Sequence, residues 1–334
     1  MLFNLSWKIT LENYQLMLLE GVEITRSVEQ LSDTATITLP GSVFNKALEI
    51  EDKIKRGNTV KIELGYNADT TNPAPTTPAP PKEGNGALVT EFEGFIESIE
   101  TNDGSITIKC EDAIYKLRQP VADKELINPD VSDVLNYVLA QIGGYTLSCD
   151  YQFKYDKFTI LSNTAYKVVK QIQEETKANV YLKGNVLHVH PQYKEIFGTA
   201  EYSFQHNIES SELEYRKSED RKWFVTVEGK GKDGKVIKIT AGEKGGDTEK
   251  REIGGVSDPV SLQNLANEML KVKSYTGYSG SFTGWLIPYC DAGYKVTISD
   301  DDYEYKSGTY YVLEVVTNFS KAGGSRTVKI GSKI

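Results

Sequence analysis

Cysteine, histidine, methionine and tryptophan are all scarce in this 334-residue sequence, at three residues each. The cysteines, Cys110, Cys149 and Cys290, are odd in number and far apart, which excludes a disulfide framework and predicts small buried apolar groups in a reducing compartment. Three histidines leave few options for general acid–base chemistry. No apolar run approaches the roughly 18 residues that a membrane-spanning helix requires. The opening stretch MLFNLSWKIT has no basic patch followed by a long apolar segment, which predicts no signal peptide. Basic charge is in deficit as well: Lys+Arg 38 against Asp+Glu 47 gives a net charge of −9. That balance argues against duplex DNA as a tightly held ligand.

Apolar and aromatic residues are present in quantity, at 39% and 10%, enough for packed cores. Tyrosine outnumbers phenylalanine 20 to 11, which suits β-sheets and broad interfaces. At roughly 150 residues per domain, the length predicts two domains or three small ones.

The first third reads as β. Ala35, Ile37 and Leu39 alternate with Thr34, Thr36 and Thr38, and Val60, Ile62 and Leu64 alternate with Lys61 and Glu63. Residues 67–87, rich in proline and threonine, cannot build a core and read as a loop inserted between two strands of one sheet. FEGFIESIE (92–100) and SITIKCED (105–112) flank Asn102-Asp103-Gly104, a hairpin turn. Near Pro120 the pattern changes. Asp130 can cap a helix carrying Val131, Val134, Leu135, Val138, Leu139 and Ile142, which Gly143-Gly144 ends. Thr164 opens a second helix with Ala165, Val168, Val169 and Ile172, and Asn179 is its expected left-handed stop. A hairpin turning at Gly184-Asn185 follows. The last section returns to β, with a hairpin at Lys232-Asp233-Gly234, one helix near 258–272 begun by Asp258-Pro259, and three closing strands.

A repeat emerges when the two β sections are aligned. GNTVKIELGY (57–66) matches AGYKVTISDD (292–301), and FEGFIESIETNDGSITIKCED matches YYVLEVVTNFSKAGGSRTVKIGSK in pattern. The expected fold is therefore mainly β with an α+β insert: a first antiparallel β-barrel over 1–119, an α+β domain with two helices over 120–194, and a second, similar barrel over 195–334.

Candidate chemistry is sparse. His188 and His190 lie two apart on one strand face, as metal ligands can, but with no third ligand at a matching spacing they read as polar residues of an exposed strand. Asp300-Asp301-Asp302 lacks the spacing of a calcium loop and reads as a solvated hairpin tip. GKGKDGK (229–235) lies between strands and lacks the Walker spacing. No G-x-S-x-G, H-E-x-x-H or C-x-x-C is present. The expectation is no catalytic, cofactor-binding or metal-binding residue, and no enzyme.

Five stretches, taken in order, resemble the hub proteins of contractile phage tails and injection machines, the late-control protein D family and the N-terminal hub part of VgrG proteins. They are VEITRSVEQLSDTATITLPG (22–41), IKRGNTVKIELGY (54–66), and EFEGFIESIE with ITIKCEDAIYKLRQ (91–119), which holds F-x-G-x-I and C-x-D. The helix-rich segment from VSDVLNYVLAQIGGYTL to NVLHVHP and the closing YYVLEVVTNFSKAGGSRTVKI complete the set. The resemblance implies a homotrimer whose two barrels per chain form a pseudo-sixfold ring between a hexameric tail tube and a trimeric spike. It also implies other baseplate proteins as partners, DNA or cargo only in passage through a central channel, and a place in the virion tail after assembly in the bacterial cytoplasm. It implies no stable membrane insertion and carries over no catalytic residues. With no needle or OB-fold extension after Ile334, the spike is expected to be a separate chain. A tail-associated peptidoglycan hydrolase or cell-wall-binding module is the alternative, and a free-standing binding β-sandwich a third reading; the first wants a Glu or Cys/His constellation, the second a secretion signal.

Overall fold

The computed structural model describes residues 5–40, 54–66, 88–101 and 105–334. The expected turn at 102–104 and the loop at 67–87 lie outside the described residues. The first β unit comprises β1 (Leu5–Leu11), β2 (Tyr14–Gln15), β3 (Gly21–Ser27), β4 (Thr34–Pro40), β5 (Thr59–Tyr66), β6 (Val89–Thr101) and β7 (Ser105–Glu111). The period-two pattern holds throughout it. Ala35, Ile37 and Leu39 of β4 and Val60, Ile62 and Leu64 of β5 are buried in one core with Ile9, Ile24, Ile96 and Ile108.

The middle segment holds β8 (Lys124–Ile127), α1 (Val131–Ile142), β9 (Thr146–Cys149), β10 (Lys157–Ile160), α2 (Ala165–Thr176), β11 (Asn179–Lys183) and β12 (Val186–His190). Asp130 and Asp133 form a capping box on α1, and Gly143 closes it at φ 66. The Thr164 side chain caps α2 by accepting from the Lys167 N–H. The left-handed stop of α2 is Lys177, at φ 59, and not Asn179, which is buried as the first residue of β11.

The chain then runs through β13 (Thr199–Ser203), β14 (Ile208–Ser211), β15 (Glu214–Arg216), β16 (Trp223–Lys230), β17 (Val236–Gly242), β18 (Asp247–Gly254) and α3 (Pro259–Lys271). It ends with β19 (Gly277–Trp285), β20 (Lys295–Ser299), β21 (Gly308–Ser320) and β22 (Gly323–Lys333). The cores divide this part differently from a boundary at 194/195. Val225 and Val227 of β16, Ile253 of β18, and Leu262, Leu265, Ala266 and Met269 of α3 pack with α1 and α2. Residues 223–271 therefore return to the middle core, while 199–216 and 277–333 build the closing β unit around Tyr202, Phe282, Val296, Val312 and Val328. The apolar stripe of α3 explains this: it seats on the β16–β17 face, and together they cover the middle layer.

Among the described residues, strand pairing shows the fold to be mainly β, with antiparallel sheets and three helices. Among the described residues no sheet closes on itself: the strands form two open units in one continuous 14-stranded sheet, which leaves the expected pair of barrels unconfirmed. The first unit is ordered β3-β4-β7-β6-β5-β1; the closing unit is ordered β14/β15-β19-β22-β21-β20-β13. Position for position, the two orders correspond. They differ in the sixth strand: β1 runs antiparallel to β5, whereas β13 runs parallel to β20. No helix among the described residues is long and apolar enough to cross a membrane.

Candidate functional site

The most elaborate polar construction in the molecule lies where the two β units meet. β21 is long enough to serve two neighbours along one edge. Its first half pairs with β20, and its second half, Glu314–Ser320, pairs antiparallel with Ser27–Gly21 of β3. The Val28 N–H extends this seam by donating to the Leu313 carbonyl at 3.0 Å.

Beneath the seam lies a buried ion cluster. The Glu91 carboxylate of β6 accepts from Arg26 of β3 at 3.1 Å and from Arg326 of β22 at 2.5 Å. Arg26 also donates to the Tyr289 hydroxyl at 2.6 Å and to Asp291 at 3.1 Å. Arg326 donates to the carbonyls of Leu286 and Pro288, both at 2.8 Å, and both guanidinium groups lie against the Tyr289 ring. Arg26, Glu91 and Arg326 are 6%, 3% and 0% exposed, so every charge here depends on its partners. Burial alone would lower the Arg26 pKa; Asp291, Tyr289, Glu91 and Asp33 outweigh it and hold the guanidinium charged. Because the cluster takes residues from both units, it fixes their relative orientation.

A second polar group borders it. Asp33 accepts from the Ser27 N–H, and Asp112 accepts from the Ser32 hydroxyl and from the Ile114 N–H, capping the short 3-10 turn Ala113–Leu117. Burial and the neighbouring acid push Asp33 upward, and burial pushes Asp112 up to about 6. This is the aspartate of the C-x-D stretch, and its work is to end β7 and start the middle segment.

The repeat read from the sequence proves to be a repeat of hydrogen bonds. The Gly57 N–H donates to the Ile96 carbonyl at 2.8 Å, and the Gly293 N–H to the Val312 carbonyl at 2.9 Å. The Ile96 N–H donates to Asn58 and the Val312 N–H to Tyr294, each at 2.9 Å. Both glycines need positive φ, 87° and 78°, which favours glycine at this turn. The Val60↔Gly94 pair corresponds to Val296↔Tyr310, and Ile99↔Ile108 to Val315↔Val328. Even the β-bulge recurs, between Ile96 and Ser98 in β6 and between Val312 and Glu314 in β21. The structural register sets Gly57 on Gly293 and Ile96 on Val312, one and two residues from the alignment by pattern.

The candidates weighed for chemistry fall elsewhere and have structural roles. His188 stacks on Tyr181 with ring centroids 4.8 Å apart; His190 is buried, its Nδ1 2.9 Å from the Pro191 carbonyl and its Nε2 3.4 Å from Glu195. Asp300 is not a solvated tip: it is buried, accepting from the Tyr278 hydroxyl and from the N–H groups of Asp302 and Tyr303. Gly229 and Lys230 end β16, and residues 231–235 form the β16–β17 turn, with the Gly231 N–H on the Lys235 carbonyl. Cys110 and Cys290 are buried free thiols that burial pushes up to about 12, the range of unreactive cysteine. Among the described residues no group of three or more His, Cys, Asp or Glu is placed to hold a metal ion. Arg26, Glu91 and Arg326 were not singled out from the sequence. A signal existed for the arginines: Arg26 is in phase with Val22 and Ile24, and Arg326 with Val328 and Ile330, so each puts a charge at a core-facing position.

No family model and no curated protein matches this sequence. Solved structures do. A tail protein from Neisseria meningitidis superposes with a TM-score of 0.64 at 13% identity, covering 98% of this chain and 97% of that one. A prophage tail protein from Shewanella oneidensis superposes with a TM-score of 0.60 at 12% identity, covering 97% of each chain. An Escherichia coli type VI secretion component, described as similar to bacteriophage tail proteins, gives 0.59 at 9% identity, covering 98% of this chain and 77% of that one. The chain thus has the fold of these phage tail proteins and of the type VI secretion component, the class of protein that its sequence resembles.

Proposed function

We propose that this protein is the structural hub at the tip of a contractile phage tail or a related injection machine. It forms a homotrimer in which two β units per chain make a pseudo-sixfold ring, an adaptor between the hexameric tail tube and the trimeric spike. One observation carries the reading: the two units share strand order, hydrogen-bond register and bulge position. Two equivalent units per chain are what three chains need to meet a sixfold partner. The buried ion cluster supports it, since a ring needs a fixed angle between its units.

The sheet face opposite the cores suits a channel wall. On β3, β4, β6, β7, β19, β21 and β22 it is rich in threonine, with Thr25, Thr36, Thr38, Thr107, Thr283 and Thr327, and carries Glu23, Glu100 and Glu314, with Glu212 beside them, against Lys109 and Lys329. An acidic, hydroxyl-rich wall repels phosphate and lets DNA or cargo slide. The partners are then the tube protein, the spike protein and other baseplate proteins. The work is assembly, with no catalytic step or cofactor.

Light scattering over a concentration series tests this reading. The expected mass is three times that of the 37.2 kDa chain; a mass of one chain at every concentration would count against it.

A further inference from the structure

We infer that adjacent chains join by pairing the free edge of β6 in one chain, Glu97–Thr101, with the outer edge of β14–β15 in the next, residues 210–216. The inference rests on the trimeric reading and supplies its contact. It comes from carrying the seam within the chain onto the repeat. In the closing unit, the half of β21 beyond β20 receives β3 of the first unit. In the first unit, β6 is built the same way: β5 covers it as far as Ile96, and β7 pairs with its other side from Phe95 to Thr101. Beyond Ile96, no strand among the described residues pairs with the edge that β3 takes on β21.

The complementary edge is equally identifiable. β3 pairs with β4 as β14–β15 pairs with β19: Gly21↔Thr38 corresponds to Ser210↔Thr283, and Thr25↔Thr34 to Glu214↔Ser279. Nothing among the described residues pairs with the outer side of β14–β15, where Ser210, Ser211, Glu212 and Glu214 are exposed. Each chain therefore ends in one donor edge and one acceptor edge of the kind already joined inside it. Repeating that step head to tail gives a heterologous contact, which forms a ring when the rotation closes.

The seam also sets the register. Ser98 falls opposite Arg216, Ile99 opposite Tyr215 and Thr101 opposite Leu213, by correspondence with Glu314↔Ser27, Val315↔Arg26 and Thr317↔Ile24. Glu100 falls opposite Glu214, but each has a counter-charge in its own unit: Lys109 at 2.5 Å and Arg216 at 3.9 Å. The buried arginines of the internal seam have no counterparts here, since Tyr215 takes the place of Arg26 and Ile106 that of Arg326. The contact between chains is accordingly separable, as a unit that assembles after folding requires, and the edge charges keep free monomers from pairing out of register.

Paired cysteines test the register. Ser98→Cys with Arg216→Cys, oxidised with copper phenanthroline, is expected to give dimer and trimer bands on a non-reducing gel that collapse on reduction. Either single variant is expected to stay at the mass of one chain, which controls for the native thiols. Glu100→Cys with Glu214→Cys repeats the test one pair along. If the protein is a trimer by light scattering and neither double variant cross-links, the edge pairing is wrong and the trimeric reading stands. If the wild-type protein is a monomer at every concentration, both fall.

Discussion

Glu91→Ala is expected to destabilise the protein by about 3–5 kcal/mol, the cost of removing one partner from a buried ion group. The carboxylate sits between Arg26 and Arg326, all three nearly or wholly inaccessible to water. Its loss leaves Arg326 with two carbonyls and the Tyr289 ring, and Arg26 with Asp291 and Tyr289, to offset two desolvated charges. The shift in the urea midpoint, converted with the measured slope, reads the effect directly. The quadruple variant Arg26→Met, Glu91→Leu, Asp291→Asn, Arg326→Met separates charge loss from seam loss, since it also removes the carboxylate that pairs with Arg26. It is expected to recover most of the stability, because apolar replacement of a whole buried ion group is often neutral. A Glu91→Ala loss below about 1 kcal/mol would mean that the cluster does not hold the two units together.

Gly94→Val is expected to cost about 3 kcal/mol, the upper end of the range for overpacking a filled site. Gly94 is the glycine of the F-x-G-x-I stretch, and the reason for it is steric. A Cβ built there lies 2.1 Å from the Glu111 carbonyl oxygen and 2.8 Å from the Phe92 ring. Neither the β7 backbone nor the packed ring can yield without opening the β6–β7 ladder. That movement also displaces Glu111, whose carboxylate holds Arg118 through two hydrogen bonds. Thermal unfolding is the check: a large drop in the midpoint is expected for valine, and an unchanged midpoint would show that the ladder has room.

The parts of the fold that followed from the sequence are those set by local chemistry. Period-two alternation marked β4 and β5, the Asp130 and Thr164 caps marked α1 and α2, and Gly184-Asn185 marked the β11–β12 turn. β19 gave no such signal. Gly280 and Gly284 dilute its apolar pattern because they admit another backbone: a Cβ at either would lie 2.4 or 2.6 Å from the carbonyls of Glu212 and Asn207. The return of 223–271 to the middle core was illegible for a different reason. The alternation in β16 shows that one face is buried, but not against which partner, and only α3 seated on that sheet decides it.

The seam shows the same division. Pattern matching found two similar β sections, yet their register is set by the turns at Gly57 and Gly293 and by the paired bulges, features that alternation does not encode. The joining of the two units through β3 and β21 is a contact between residues nearly 300 positions apart, with no local mark beyond two arginines at core-facing positions.

The most direct test is electron microscopy of the purified assembly, with class averages viewed down its axis. The account predicts six similar lobes around a central opening, alternating between the two units of each of three chains. Three lobes, or a compact particle with no opening, would contradict the equivalence of the two units on which the hub reading rests.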